Sequence, residues 1–210
     1  MVVLGLGLAV GAPAANDLFP ATAAQTVEAA VQTGWVKESG NWYFYKDGTK
    51  QTGWQTWDGK RYYLNADGTM KANEWMIDTD GSIYYFRSWG GAYKSCKARI
   101  DGRSYTFDDN SKMQGSQWIV KGGKWYLAKN GKMATGWQAW DGNWYYLNAD
   151  GTMKANESFK DGGKIYFFRS WGGAYKNCWI TSGGKKYYFD ENGVMLTGWQ
   201  CVKEKAEPGD

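Results

Sequence analysis

The chain repeats itself. A unit of about 20 residues opens with Thr33-Gly34-Trp35 and returns at Thr52-Gly53-Trp54, Thr135-Gly136-Trp137 and Thr197-Gly198-Trp199. Asn73-Glu74-Trp75 and Ser116-Gln117-Trp118 are looser openings, units near Lys97 and Ser158 have lost the tryptophan, and a further unit opens at Trp179. Above this runs a longer period. The segment from Tyr62 to Glu74 recurs unchanged from Tyr145 to Glu157, and that from Phe86 to Lys94 recurs from Phe168 to Lys176. A block of four units has therefore been duplicated with a shift of 82 or 83 residues, giving eight full units and a partial ninth. Units this short cannot bury an apolar face alone and must stack on their neighbours.

Each unit reads as a β-hairpin. Asp58-Gly59, Asp80-Gly81, Asp101-Gly102, Gly122-Gly123, Asp141-Gly142 and Gly183-Gly184 separate aromatic runs. Such dipeptides favour tight hairpin turns, whose central residues need positive φ. A second turn follows in each unit, as at Asp47-Gly48, Asp67-Gly68, Asn130-Gly131, Asp150-Gly151 and Asn192-Gly193. A lone hairpin is marginal in water. The expected fold is all-β: a solenoid of tandem aromatic hairpins whose stability is a sum of nearest-neighbour terms.

Composition narrows the chemistry. Aromatics make up 18% of the chain, with 14 Trp, 15 Tyr and 29 Gly. Rings between glycine turns supply the apolar volume that branched aliphatics usually provide. There is no histidine, which removes Ser-His-Asp and Cys-His catalysis and His-based zinc sites. The Asp-Gly pairs lack the dense acidic spacing of calcium loops. Asp58, Asp67, Asp141 and Asp150 recur along the array, whereas a glycosidase acid/base pair is singular. Neither enzyme activity, a metal nor a cofactor is expected. The net charge of +4 comes without the Lys/Arg stripe of a nucleic-acid binder. Cys96 and Cys178 occupy equivalent places in the two blocks and read as small repeat-position residues, with Cys201 left over.

Residues 1–24 read as a secretory leader: Val2 to Ala15 are apolar but too short to span a bilayer comfortably. Residues 25–32 read as a linker, 33–201 as the repeat array and 202–210 as a polar tail. The leader lacks the usual basic start, so an upstream start or a fragment of a larger protein is one reading. An integral membrane protein is not expected.

The pattern Thr-Gly-Trp, then Gly-x-Trp-Tyr-Tyr-Leu, then Asn-x-Asp-Gly-x-Met, present here from about residue 33 to 201, resembles the cell-wall-binding repeats of Gram-positive bacteria. That family includes choline-binding modules of wall hydrolases and surface proteins. Related repeats occur in glucan-binding regions of glucosyltransferases and in clostridial toxins. The resemblance implies a left-handed hairpin solenoid with ligand held between consecutive hairpins in an aromatic box. Two rings come from one unit, seven residues apart, and a third from the next. A quaternary ammonium has no N–H to donate, so ring faces must recognise it, at about 0.5–2 kcal/mol per contact.

Carried over to this sequence, the resemblance implies three boxes: Trp35/Trp42, Trp118/Trp125 and Trp137/Trp144, with Tyr63, Tyr146 and Phe167 as third rings by strand alternation. At the same spacing Trp54 meets Arg61 and Trp179 meets Lys186, cations that would repel another. Trp75 meets Ile83 one residue late. The insert carrying Arg87, Trp89, Arg169 and Trp171 is either a sugar platform or a longer loop. The expected function is attachment of a secreted protein to the bacterial cell wall through choline of teichoic acid. The alternatives are α-glucan or other polysaccharide binding, and a non-catalytic tail of a wall hydrolase, glucosyltransferase or toxin.

Overall fold

The computed structural model describes residues 32–197. The leader, nearly all of the linker, Trp199, Cys201 and the polar tail lie outside the described residues. Within them every regular element is a strand. Eight antiparallel hairpins follow one another along the chain. They are β1 (Gly34–Glu38) with β2 (Asn41–Lys46), β4 (Gly53–Trp57) with β5 (Lys60–Leu64), β6 (Glu74–Ile77) with β7 (Ile83–Phe86), and β8 (Cys96–Ile100) with β9 (Arg103–Phe107). The second half repeats this with β11 (Gln117–Lys121) and β12 (Lys124–Lys129), β14 (Gly136–Trp140) and β15 (Asn143–Leu147), β16 (Ser158–Asp161) and β17 (Lys164–Phe167), and β18 (Cys178–Ser182) and β19 (Lys185–Phe189).

The tight turns are those the dipeptides foretell. Asp58 and Gly59 have φ of 49° and 68°, Asp141 and Gly142 of 47° and 74°, the double positive φ of a type I′ turn. Asp80-Gly81 departs from this pattern. Its turn is wider, because the Asp80 carboxylate accepts hydrogen bonds from the Ser82 amide (2.8 Å) and hydroxyl (2.9 Å). Second turns such as Asp67-Gly68 are wider too: Asp67 Oδ1 accepts from the Thr69 amide at 2.9 Å, an Asx arrangement.

After its second strand each hairpin folds back a short third arm, which is itself a strand in β3 (Thr49–Lys50), β10 (Met113–Gln114) and β13 (Lys132–Met133), and most of these arms join one hairpin to another. The amide of Met70 donates to the Trp42 carbonyl of the preceding hairpin at 2.9 Å, Ala92 to Arg61 at 2.9 Å, Met153 to Trp125 at 2.9 Å, Ala174 to Trp144 at 2.8 Å and Met195 to Ile165 at 2.7 Å. From the second hairpin to the eighth, one apolar side chain per unit lies opposite the start of the first strand: Leu64, Phe86, Phe107, Ala128, Leu147, Phe168 (which faces Glu157, one residue before β16) and Phe189, each no more than 2% exposed. This row is the core of the array. Burying each large member contributes about 1.5–3 kcal/mol.

The junction between the duplicated blocks breaks the step. In the fifth hairpin, the Met133 amide donates to the Gly81 carbonyl of the third hairpin at 2.9 Å, passing over the fourth. Lys132 joins Asp80 at 2.8 Å, and Lys112 of the fourth hairpin approaches the same carboxylate at 3.5 Å. The Lys132 hydrogen bond, followed by those from Ser82, holds the Asp80 carboxyl well below its ordinary 3.8.

Two outcomes follow from this architecture. Phe168→Ala should cost about 3–5 kcal/mol, opening the seventh hairpin first; amide hydrogen exchange around it should accelerate while the first hairpin stays protected. Because the folded Asp80 pKa is depressed, its contribution is present above about pH 4 and is lost as pH falls further. Acidification should therefore loosen the junction amides of Gly131 and Met133, and Asp80→Asn should remove that pH response.

Candidate functional site

Trp35 on β1 and Trp42 on β2 form one side of an open cavity of about 350 Å³. Trp57, Tyr62 and Met70 of the second hairpin and Trp89 of the third complete it, with Asp58 and Lys60 at the rim. Trp35 lies 4.7 Å from Tyr62 by ring centroids, and Tyr62 lies 6.1 Å from Trp89. The second block builds the same cavity, about 480 Å³, from Trp118, Trp125, Trp140, Tyr145, Met153 and Trp171. Trp118 lies 4.9 Å from Tyr145, and Tyr145 6.0 Å from Trp171. All six wall residues of the first site recur in the second. Burial raises the Tyr62 and Tyr145 hydroxyls above their ordinary value, so both rings stay un-ionised at neutral pH.

The third rings differ from the sequence expectation by one residue. Trp54 pairs with Tyr63 across β4 and β5, and Trp137 with Tyr146 across β14 and β15. Directly opposed residues share a face, so Tyr63 and Tyr146 lie beside those tryptophans, at 5.4 and 5.3 Å. Their neighbours Tyr62 and Tyr145 point to the other face, back toward Trp35 and Trp118. Phe167 likewise gives way to Tyr166, which stands 4.5 Å from Trp137, while Phe167 packs 5.9 Å from Tyr175.

The third expected box has a different wall. Trp137 and Trp144 meet edge to face at 6.4 Å, and Trp137 Nε1 donates to Asp161 at 2.9 Å. In the first block, Arg61 stands where Trp144 does. Its guanidinium lies 4.1 Å from the Trp54 ring and 6.0 Å from Tyr84, and it donates to the Asn110 carbonyl. That box already holds a cation of the chain. The second cavity holds one in part: Arg103 lies 5.0 Å from the Trp125 ring. In the first cavity Lys60 is paired with Asp58 at 3.0 Å, and Lys37 stands 5.9 Å from Trp42.

The insert supplies a wall rather than a free loop. Arg87 donates to the Ala92 carbonyl at 3.0 Å and covers Tyr93 at 4.0 Å. A Cβ at Gly91 would overlap the Trp89 ring, and one at Gly90 would overlap Met70. The two glycines let the indole fold over its own backbone. Arg169, Gly172, Gly173 and Trp171 repeat this. Trp57, Trp89 and Trp171 are 43%, 45% and 50% exposed. Sequence reasoning missed Trp57, Tyr62 and Met70 with their counterparts, and offered Trp89 and Trp171 only as a separate sugar platform or loop; cross-strand register, together with the duplication, was the available signal.

A family model described as choline-binding repeat matches residues 51–97, 113–159 and 176–207, and one described as cell wall binding repeat matches residues 33–48. The chain belongs to the choline-binding repeat family. Within it, the chain is 30% identical over 164 residues to Glucosyltransferase-I of Streptococcus downei, covering 76% of this chain and 9% of that protein. It is 31% identical over 173 residues to Glucosyltransferase-S of Streptococcus mutans, covering 79% of this chain and 10% of that protein. The chain thus spans about a tenth of the length of these relatives. Among solved structures it is similar to choline binding protein F of Streptococcus pneumoniae, with 32% identity, a TM-score of 0.39, and coverage of 79% of this chain and 58% of that one.

Proposed function

We propose that this choline-binding repeat array is a non-catalytic module that attaches the protein carrying it to the bacterial surface, by holding trimethylammonium groups of choline-bearing wall polymer in its two duplicated cavities. The observation that carries this reading is the chain's own use of the boxes. Arg61 lies over Trp54, and Arg103 over Trp125, so a cation already sits on these ring faces. A quaternary ammonium suits the remaining space because the walls are aromatic faces with few acceptors. The family supports the same ligand class. Two linked weak sites become firm attachment by raising effective concentration.

The tryptophans are both binders and fluorophores, so choline titration should give a saturable change in emission. Trp42→Ala and Trp125→Ala should each weaken retention on choline-bearing walls modestly, and the pair together should abolish it. A folded double variant that is retained normally would falsify the box mechanism. In the Trp42→Ala background, which isolates the second cavity, Arg103→Gln should raise choline affinity about twofold to fivefold by removing an exposed competing cation. Unchanged affinity in calorimetry would show that Arg103 does not compete.

A second reading rests on the relatives named for glucosyl transfer: the same indoles can stack on the CH faces of an α-glucan. Competition decides between them. Choline should release the bound protein under the first reading, and dextran under the second.

A further inference from the structure

The Trp89 indole is a partition. On one side is the first aromatic cavity; on the other is a second cavity of about 380 Å³ with mostly polar walls, lined by Asn73, Arg87, Ser88, Trp89, Arg99 and Asp101. It lies between the third and fourth hairpins. We infer that this polar cavity is a carbohydrate subsite that takes one pyranose unit of a wall or capsular polysaccharide, with Trp89 as its stacking wall.

Charge balance selects the ligand class. A bare anion would meet the Asp101 carboxylate, and a bare cation would meet the guanidiniums of Arg87 and Arg99. A neutral polyhydroxylated ring meets neither conflict. Vicinal hydroxyls both donate and accept, and the cavity offers both in planar groups: Arg99 donates and Asp101 accepts. Asn73 spends only its oxygen, accepting from the Tyr85 hydroxyl at 3.1 Å, which leaves its NH₂ to donate. Among the described residues, Ser88, Arg99 and Asp101 are exposed and make no side-chain hydrogen bond or ion pair within the chain. Arg87, by contrast, is fixed by Ala92 and Tyr93. Trp89 is held by the Gly91 backbone on one face and Arg87 at 5.4 Å, an indole pre-set for the apolar face of a sugar ring.

The duplication supplies an internal contrast. At the equivalent places of the second block, Thr181 replaces Arg99, Gly183 replaces Asp101 and Phe167 replaces Tyr85. Trp171 keeps its aromatic cavity but has lost these polar groups. The subsite therefore belongs to the first block, and only there can a polymer carrying both an ammonium group and a sugar ring occupy the two cavities that Trp89 lines. The subsite does not depend on choline filling the aromatic cavity.

The test uses the whole chain, titrated in separate cells with isomaltotriose, with triacetylchitotriose, with inorganic phosphate and with tetramethylammonium, followed by calorimetry and by indole N–H shifts. One of the two trisaccharides should bind at one equivalent and shift the Trp89 indole. Arg99→Gln with Asp101→Asn should weaken that binding at least about tenfold, as loss of charge-assisted hydrogen bonds does. The tetramethylammonium titration should stay as in the unaltered chain, which reports that the array is folded and that the aromatic cavities work. Three results overturn the subsite: no binding of either trisaccharide, full-strength binding by the double variant, or binding of phosphate in their place. Loss of the tetramethylammonium response in the unaltered chain would instead overturn the choline reading and leave the sugar result standing.

Discussion

One main-chain hydrogen bond, repeated, governs this molecule. In five of the hairpins the amide of the third arm reaches the carbonyl of the preceding hairpin, as Met70 does at Trp42 and Met153 at Trp125, both at 2.9 Å. The bond fixes how far apart successive hairpins stand. Side chains of neighbouring units then meet in a set order: one large apolar residue on the core row, and rings from three consecutive hairpins around each cavity. A hairpin without neighbours would lose both at once, which is why a unit this poor in branched aliphatics is found only in series.

The two blocks amount to a natural substitution experiment on one scaffold. Where the first block has Arg61 over Trp54, the second has Trp144 beside Trp137. The first cavity faces the Asp58–Lys60 pair, and the second faces Arg103. The walls are retained and the rim is changed. Under the proposed function, the rings would set what kind of group is held, and the few charges around them how strongly.

Much of this was legible before any coordinates. The hairpin turns follow from Asp-Gly and Gly-Gly, since few residues other than glycine, asparagine and aspartate accept positive φ. Trp35, Trp42, Trp118 and Trp125 could be singled out because the family resemblance implies a second ring seven residues after the first. The third ring could not be placed from alternation alone. Whether Tyr62 or Tyr63 faces Trp35 depends on which residue opposes Trp54, and a one-residue change of register turns every side chain to the other face. The role of Trp89 was hidden for another reason: an insert's path depends on local contacts, here Arg87 with Ala92 and the space left by Gly90 and Gly91. The long reach from Met133 to Gly81 had no local signature at all.

That reach alters how the chain would bear load. A module held to a surface at one end and to its cargo at the other is pulled along its length, and hairpins stacked in sequence would share the tension like links, failing at the weakest. The third and fifth hairpins are tied directly, by Met133 to Gly81 and Lys132 to Asp80. Tension between the two blocks has a second route around the fourth hairpin. The fourth hairpin, whose Tyr105, Phe107 and Met113 share one buried cluster with residues of the third and fifth, would then carry only part of that load.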